Sequence, residues 1–328
     1  MITGKYPNLR LRRTRKYSWS RKLVQESNLS CNDLIYPIFL IEGNNRKQAI
    51  KSMPGIYKHS IDQLGMIINN AIKSKIPMVA LFPSTPKNKK DEYGSEALNE
   101  NNLVCRAIRF IKKRFKNNIG IMCDVALDPY TSHGHDGLLK NNFVLNDKTV
   151  EILAKQSLLQ AQMGCDVIAP SDMMDGRIGK IRKFLDKNKY QDVQILSYAV
   201  KYASSFYGPF RDAVGSRKSL KSDKKNYQMN FANSNESLRE VALDIKEGAD
   251  IVMVKPGLPY LDIIHKVKEN FKIPVFAYQV SGEYSLIKNG IKKKLINEES
   301  IIESLMCFKR AGASAIVSYF ALDIAKKL

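Results

Sequence analysis

Short apolar runs rich in β-branched residues alternate with longer amphipathic stretches from one end of the chain to the other. Eight of these runs read as strands: Leu34–Ile41, Met78–Pro83, Ile119–Ala126, Asp166–Pro170, Val193–Val200, Ala249–Val254, Pro274–Val280 and Ala313–Ser318. The stretches between them carry helical spacing. Val150, Leu153, Ala154, Ser157, Leu158 and Ala161 share one face, after a cap expected at Asp147 and before a stop at Gly164. A later helix has Asn297 as its expected cap, Glu298 and Glu299 at its positive end, Lys309 and Arg310 at its negative end, and Gly312 as its stop. Repeated strand-then-helix units of this kind predict parallel βα topology, and eight of them predict an α/β fold, a TIM barrel, over residues 33–328. Residues 1–32 form a basic arm outside the repeat. With no core of its own, the arm is expected to pack on another subunit.

Two charges break the apolar pattern. Lys201 closes VQILSYAVK and Lys255 closes ADIVMVKPG. A lone lysine ending a strand ordinarily snorkels to water. In a barrel, however, the C-terminal strand ends are where chemistry is built, and Asp124, Ser171, Asp172, Ser281 and Tyr319 fall at other strand ends. A buried amine beside a second cation loses its proton more readily and can attack a carbonyl, so the pair points to Schiff-base chemistry.

Composition narrows the class further. The chain is 44% hydrophobic, without an apolar run near the ~20 residues that span a bilayer, so no membrane association is expected. Its five cysteines are scattered and odd in number, which reads as reduced core residues. The net charge of +21 is spread over surface-like tracts without a nucleic-acid-binding motif, so no specific nucleic acid is expected. The N-terminus lacks the apolar segment of a secretory signal, which suggests the cytoplasm, or an organelle stroma for a processed form.

Several local strings go beyond pattern: TSHGHDG from Thr131 to Gly137, PSDMMDGR from Pro170 to Arg177, KYASSFYGPFRDA from Lys201 to Ala213, MVKPGLPYLD from Met253 to Asp262, and YQVSGEY from Tyr278 to Tyr284. In this order they closely resemble the porphobilinogen synthase, or δ-aminolevulinic acid dehydratase, family. The resemblance runs from RLRRTRK near the start to the final SYF. It implies a lyase of tetrapyrrole (haem) biosynthesis that condenses two 5-aminolevulinate molecules with loss of two waters. It further implies that Lys255 binds the substrate giving the propionate side of the product and Lys201 the one giving the acetate side. Arg211, Lys224 and Gln228 match positions that grip the acetate-side carboxylate, and Ser281 with Tyr319 those that grip the propionate-side one. Asp124 matches a carboxylate near the reacting amino groups, Ser171 and Tyr278 match positions lining the propionate-side pocket, and Tyr207 and Phe210 would cover both substrates. They belong to a lid expected over residues 202–233, a connection too long to be passive.

The metal pattern departs from the zinc-dependent branch of that family. Ala126, Asp128 and Asp136 stand where that branch has three cysteines, so no cysteine-bound catalytic zinc is expected. The pattern resembles the aspartate-rich, magnesium-responsive branch, in which Asp128 and Asp136 are candidate oxygen ligands and Glu240 matches an allosteric magnesium ligand between subunits. His133 and His135 are expected to hydrogen-bond rather than to ligate. By resemblance the assembly is a homo-octamer. The competing readings are a one-imine aldolase on the same fold and a basic RNA-binding protein with an inactive barrel.

Overall fold

A computed structural model describes residues 4–215, 220 and 223–328. All eight expected strands form: β1 (Leu34–Ile41), β2 (Met78–Ser84), β3 (Gly120–Val125), β4 (Val167–Pro170), β5 (Gln194–Lys201), β6 (Ile251–Lys255), β7 (Val275–Gln279) and β8 (Ala315–Ser318). Each pairs in parallel with the next, and β1 closes on β8 through Leu34 opposite Ile316 and Ile35 opposite Val317. Closure removes every free edge and buries the strands on both sides, which is why they are continuous apolar runs rather than alternating ones. The barrel and its ring of helices are those of a TIM barrel.

Two expected helix starts are corrected. The first helix runs Asn146–Gln162 with Leu145 at the cap position, so Asp147 lies inside the first turn, where its charge still favours the helix end. The second runs Glu299–Ala311 with Glu298 at the cap; the Asn297 side chain instead donates to the Glu299 carboxylate. The Gly312 stop is as expected, at φ +104°.

Smaller elements decorate the barrel mouth. An antiparallel pair, Lys47–Ala49 with Tyr57–His59, extends the sheet beyond β1. A second hairpin, Leu139–Lys140 with Phe143–Val144, turns on Asn141 and Asn142 at φ 51° and 65°, the left-handed geometry asparagine tolerates. In the arm, the helix Ser18–Leu23 follows a short 3-10 turn, Leu11–Arg15. Leu11, Tyr17, Trp19 and Leu23 in this arm are all exposed, the last at 77%.

Candidate active site

The register of β5 against β6 sets Lys201 directly opposite Lys255 at the C-terminal mouth of the barrel. Between the pairs Ser197–Val252 and Val200–Val254, three steps of β5 run against two of β6, a bulge that interrupts simple alternation. Neither lysine snorkels: Lys201 is 7% exposed and Lys255 6%.

Their surroundings differ sharply. Lys201 donates to the Ser171 carbonyl and lies 3.3 Å from Asp136 Oδ2. No carboxylate pairs with Lys255 among the described residues. Its Nζ instead faces the rings of Tyr278 at 4.5 Å, Tyr198 at 4.9 Å, Phe210 at 5.3 Å and Tyr207 at 5.6 Å. Burial, helped by the positive charge of Lys201, brings the Lys255 amine down to about 7. At neutral pH a large fraction of it is therefore the neutral nucleophile. Burial also pushes Asp124 up to about 6, against the opposing charges of Lys255 and Lys201, and Ser171 hydrogen-bonds it. Asp124 can thus exchange a proton in the range where Lys255 does.

A second cluster lies on the Lys201 side. Lys224 Nζ sits 2.7 Å from Asp136 Oδ1 and 3.6 Å from Asp128 Oδ2. Burial alone would raise the fully buried Asp136, yet Lys201 and Lys224 outweigh it and hold its carboxyl far below the ordinary range. Burial would likewise lower Lys224, but Asp128 and Asp136 raise it, so it is a buried paired ammonium rather than a solvated loop lysine. Arg211, Lys224 and Gln228 share one cavity with Lys201 and Lys255, and Gln228 Oε1 is buried in it without a hydrogen bond among the described residues.

On the Lys255 side, the Ser281 hydroxyl accepts from the backbone N–H of Phe210 at 2.9 Å. The hydroxyls of Tyr278 and Tyr319 meet at 3.1 Å, and the Tyr207 hydroxyl donates to the Lys255 carbonyl at 3.1 Å. Phe210 packs against Phe39 and Phe82, so the segment Ser205–Val214 covers the mouth. The space left beneath it is about 30 Å³, room for little more than a water molecule, so a ligand of several carbons enters only if the cover moves. Of the expected lid, residues 216–219 and 221–222 lie outside the described residues.

A family model for delta-aminolevulinic acid dehydratase matches residues 8–327. The chain belongs to the delta-aminolevulinic acid dehydratase family. A dehydratase of this name from Bradyrhizobium diazoefficiens is 56% identical over 98% of this chain and 91% of its own length. The chloroplastic enzyme of Glycine max is 48% identical over 97% of this chain and 77% of its own. The crystal structure of the dehydratase from Toxoplasma gondii ME49, in complex with the reaction product porphobilinogen, superposes with a TM-score of 0.95 at 44% identity, covering 98% of this chain and 91% of that one.

Other members of the dehydratase site are less visible in sequence. Tyr198 lies against Lys255, and its buried hydroxyl has no hydrogen bond among the described residues. Only the bulge in β5 brings it there, so strand periodicity could not have found it. Tyr227 accepts the Asp136 N–H at 3.3 Å and meets His135 Nδ1 at 3.2 Å. His133 Nε2 lies 3.2 Å from the Glu92 carbonyl, so both histidines take part in hydrogen bonds. Burial, with the Lys224 charge behind it, lowers His135 to about 4 and keeps it neutral.

The oxygen atoms that would suit a hard cation are differently placed. Asp128 and Asp136 are both engaged by Lys224, and among the described residues no three His, Cys, Asp or Glu side chains group to hold a metal ion. As arranged, these two carboxylates pair with the lysine side chains. Glu240 lies elsewhere, half-buried in a cavity of about 520 Å³ that Glu236 and Asp175 also line. Burial raises its carboxyl. A single carboxylate completed by water is a donor set magnesium accepts. Gln228 lines both this cavity and the one between the lysines.

Proposed function

We infer that this chain condenses two molecules of 5-aminolevulinate into porphobilinogen with release of two waters, each substrate ketone being held as an imine on Lys201 or Lys255. The observation that carries this reading is the pair itself: two buried lysines in register, one ion-paired and one, lowered by burial to about 7, among aromatic faces. An imine draws electrons from the neighbouring carbon, so its C–H is acidified and can become the carbon nucleophile. Forming one C–C and one C–N bond between two tethered substrates converts a bimolecular condensation into an intramolecular one, an effect worth about 7–11 kcal/mol. Lys255, whose amine is free of a carboxylate partner, is suited to capture a ketone first. Asp124, beside it, is suited to take and return the protons of the substrate amino group. Arg211, Lys224 and Gln228 supply the donors for one substrate carboxylate, Ser281 and Tyr319 those for the other. Tyr207 and Phe210 exclude the water that would hydrolyse the imines.

The deciding experiment is formation of porphobilinogen from 5-aminolevulinate by purified protein, with borohydride reduction to trap imines. Mass spectrometry should find substrate carbon on both Lys201 and Lys255, and Lys255→Ala should make no product. Trapping on one lysine only, without pyrrole, would instead identify a one-imine aldolase.

Regulation by magnesium at Glu240 belongs to the same reading, as membership of the aspartate-rich branch. Its support is the carboxylate-lined cavity that adjoins the site through Gln228. We also propose a homo-octamer in which the arm embraces a neighbour, since its Leu11, Tyr17, Trp19 and Leu23 are exposed among the described residues. For location, five free cysteines suit a reducing compartment, the cytoplasm or an organelle stroma, the relative from Glycine max being named chloroplastic. No helix of the described residues is long and apolar enough to cross a membrane.

A further inference from the structure

Glu283 is a carboxylate that the reaction as described does not use, yet it is 3% exposed in the middle of the Lys255 side. Its Oε1 accepts the Leu258 N–H at 2.6 Å, and its Oε2 accepts those of Val280 at 2.6 Å and Gly257 at 3.4 Å. Gly257 and Leu258 follow Lys255 directly in the chain after Pro256; Val280 precedes Ser281. One side chain therefore ties the segment leaving the imine-forming lysine to the segment presenting the carboxylate-binding hydroxyl. Among the described residues no lysine or arginine pairs with it. Burial pushes the carboxyl up to about 7, opposed by those backbone N–H groups. The titratable groups facing it are Tyr207 and Tyr260, both raised by burial and neutral through this range.

We propose that Glu283 is a positioning residue that sets the separation between Lys255 Nζ and Ser281 Oγ, and so selects keto acids whose ketone and carboxylate match that span. The proposal rests on the assignment of Ser281 and Tyr319 to a substrate carboxylate. A carboxylate is needed because all three partners are donors. An amide keeps one acceptor oxygen and turns an NH2 group toward the remaining N–H groups, which splays the two segments.

The test uses levulinate, which is the substrate without its amino group, and its neutral methyl ester. Each is trapped on Lys255 with borohydride and the modified peptide quantified. In the unaltered protein the acid should be trapped at least tenfold more readily than the ester. In Glu283→Gln that preference should collapse toward unity with ester trapping retained, because the amine is intact and only the carboxylate is misplaced. Glu283→Asp, too short to reach both segments, should lose the preference in part. If either variant does not fold, the unaltered protein still reports. The ratio cancels the titration of Lys255 itself, and it should fall as pH drops from 8.5 to 6.5 and Glu283 takes up a proton. A preference that is high in the unaltered protein and unchanged in the variants and with pH would overturn the role of Glu283. Equal trapping of acid and ester in the unaltered protein would instead overturn the Ser281 and Tyr319 assignment.

Discussion

Lys255 and Lys201 are the same residue type at the same height in the barrel, and their neighbours alone make them different. Desolvation drives the Lys255 amine down to about 7, and the charge of Lys201 adds to that. The neutral fraction, and with it the rate of imine capture, should rise as pH passes from 6 to 8. Lys201→Met removes the repelling charge. The pH profile of borohydride trapping on Lys255 should then move to more alkaline values, with trapping roughly three- to tenfold slower at pH 7. An unmoved profile would mean that burial acts alone. Asp136 gives a second test at this scale. It is fully buried between two lysine side chains, so Asp136→Asn leaves Lys201 without its carboxylate partner and Lys224 with only Asp128 at 3.6 Å, and should lower unfolding free energy by about 3–5 kcal/mol in a denaturant titration. These two lysines were legible in sequence because a charge is conspicuous at the end of an apolar run. Tyr198 was not, because an aromatic residue inside a strand resembles any other core residue.

Elements were read well where the pattern was strong. Strand identity followed from β-branched runs, while the starts at Asp147 and Asn297 were each misplaced by one or two residues, because neither helix is started by a side-chain cap: Leu145 and Glu298 hold the cap positions without a side-chain hydrogen bond to the helix end. The contact between the cover and the helix Ser281–Lys292 was invisible in sequence. Gly282 permits it: a Cβ there would lie 2.4 Å from the Phe206 carbonyl oxygen and 2.8 Å from its Cα, both backbone atoms that cannot rotate away. Gly282→Ala should therefore leave the barrel folded by circular dichroism but push the segment Ser205–Tyr207 off its seat. With Phe210 displaced from over the lysines, kcat/KM should fall roughly 10- to 100-fold. Unchanged kinetics would show that the cover does not need this close approach.

At the scale of the whole molecule, the barrel closes on itself, whereas the basic arm exposes Leu11, Tyr17, Trp19 and Leu23. Removal of residues 1–23 should leave a folded barrel and shift sedimentation toward smaller species, with activity falling in step with the loss of assembly. For the proposed magnesium response, chelation followed by add-back should restore activity with magnesium, and Glu240→Ala should lose the response while its basal activity persists. Recovery with zinc alone would contradict the donor chemistry of Asp128 and Asp136.

The linear pattern was sufficient for eight βα units, for the strand ends that carry chemistry and for the two lysines, because burial on both sides forces continuous apolar runs and makes each exception stand out. It could not establish which lysine would be neutral. That depends on which carboxylates approach from elsewhere: Asp136, in the long connection after β3, reaches Lys201 and Lys224, while four aromatic rings from β5, β7 and the cover enclose Lys255. Electrostatic environment is a sum over groups distant in sequence, and only the closed barrel brings them within a few ångströms of each other.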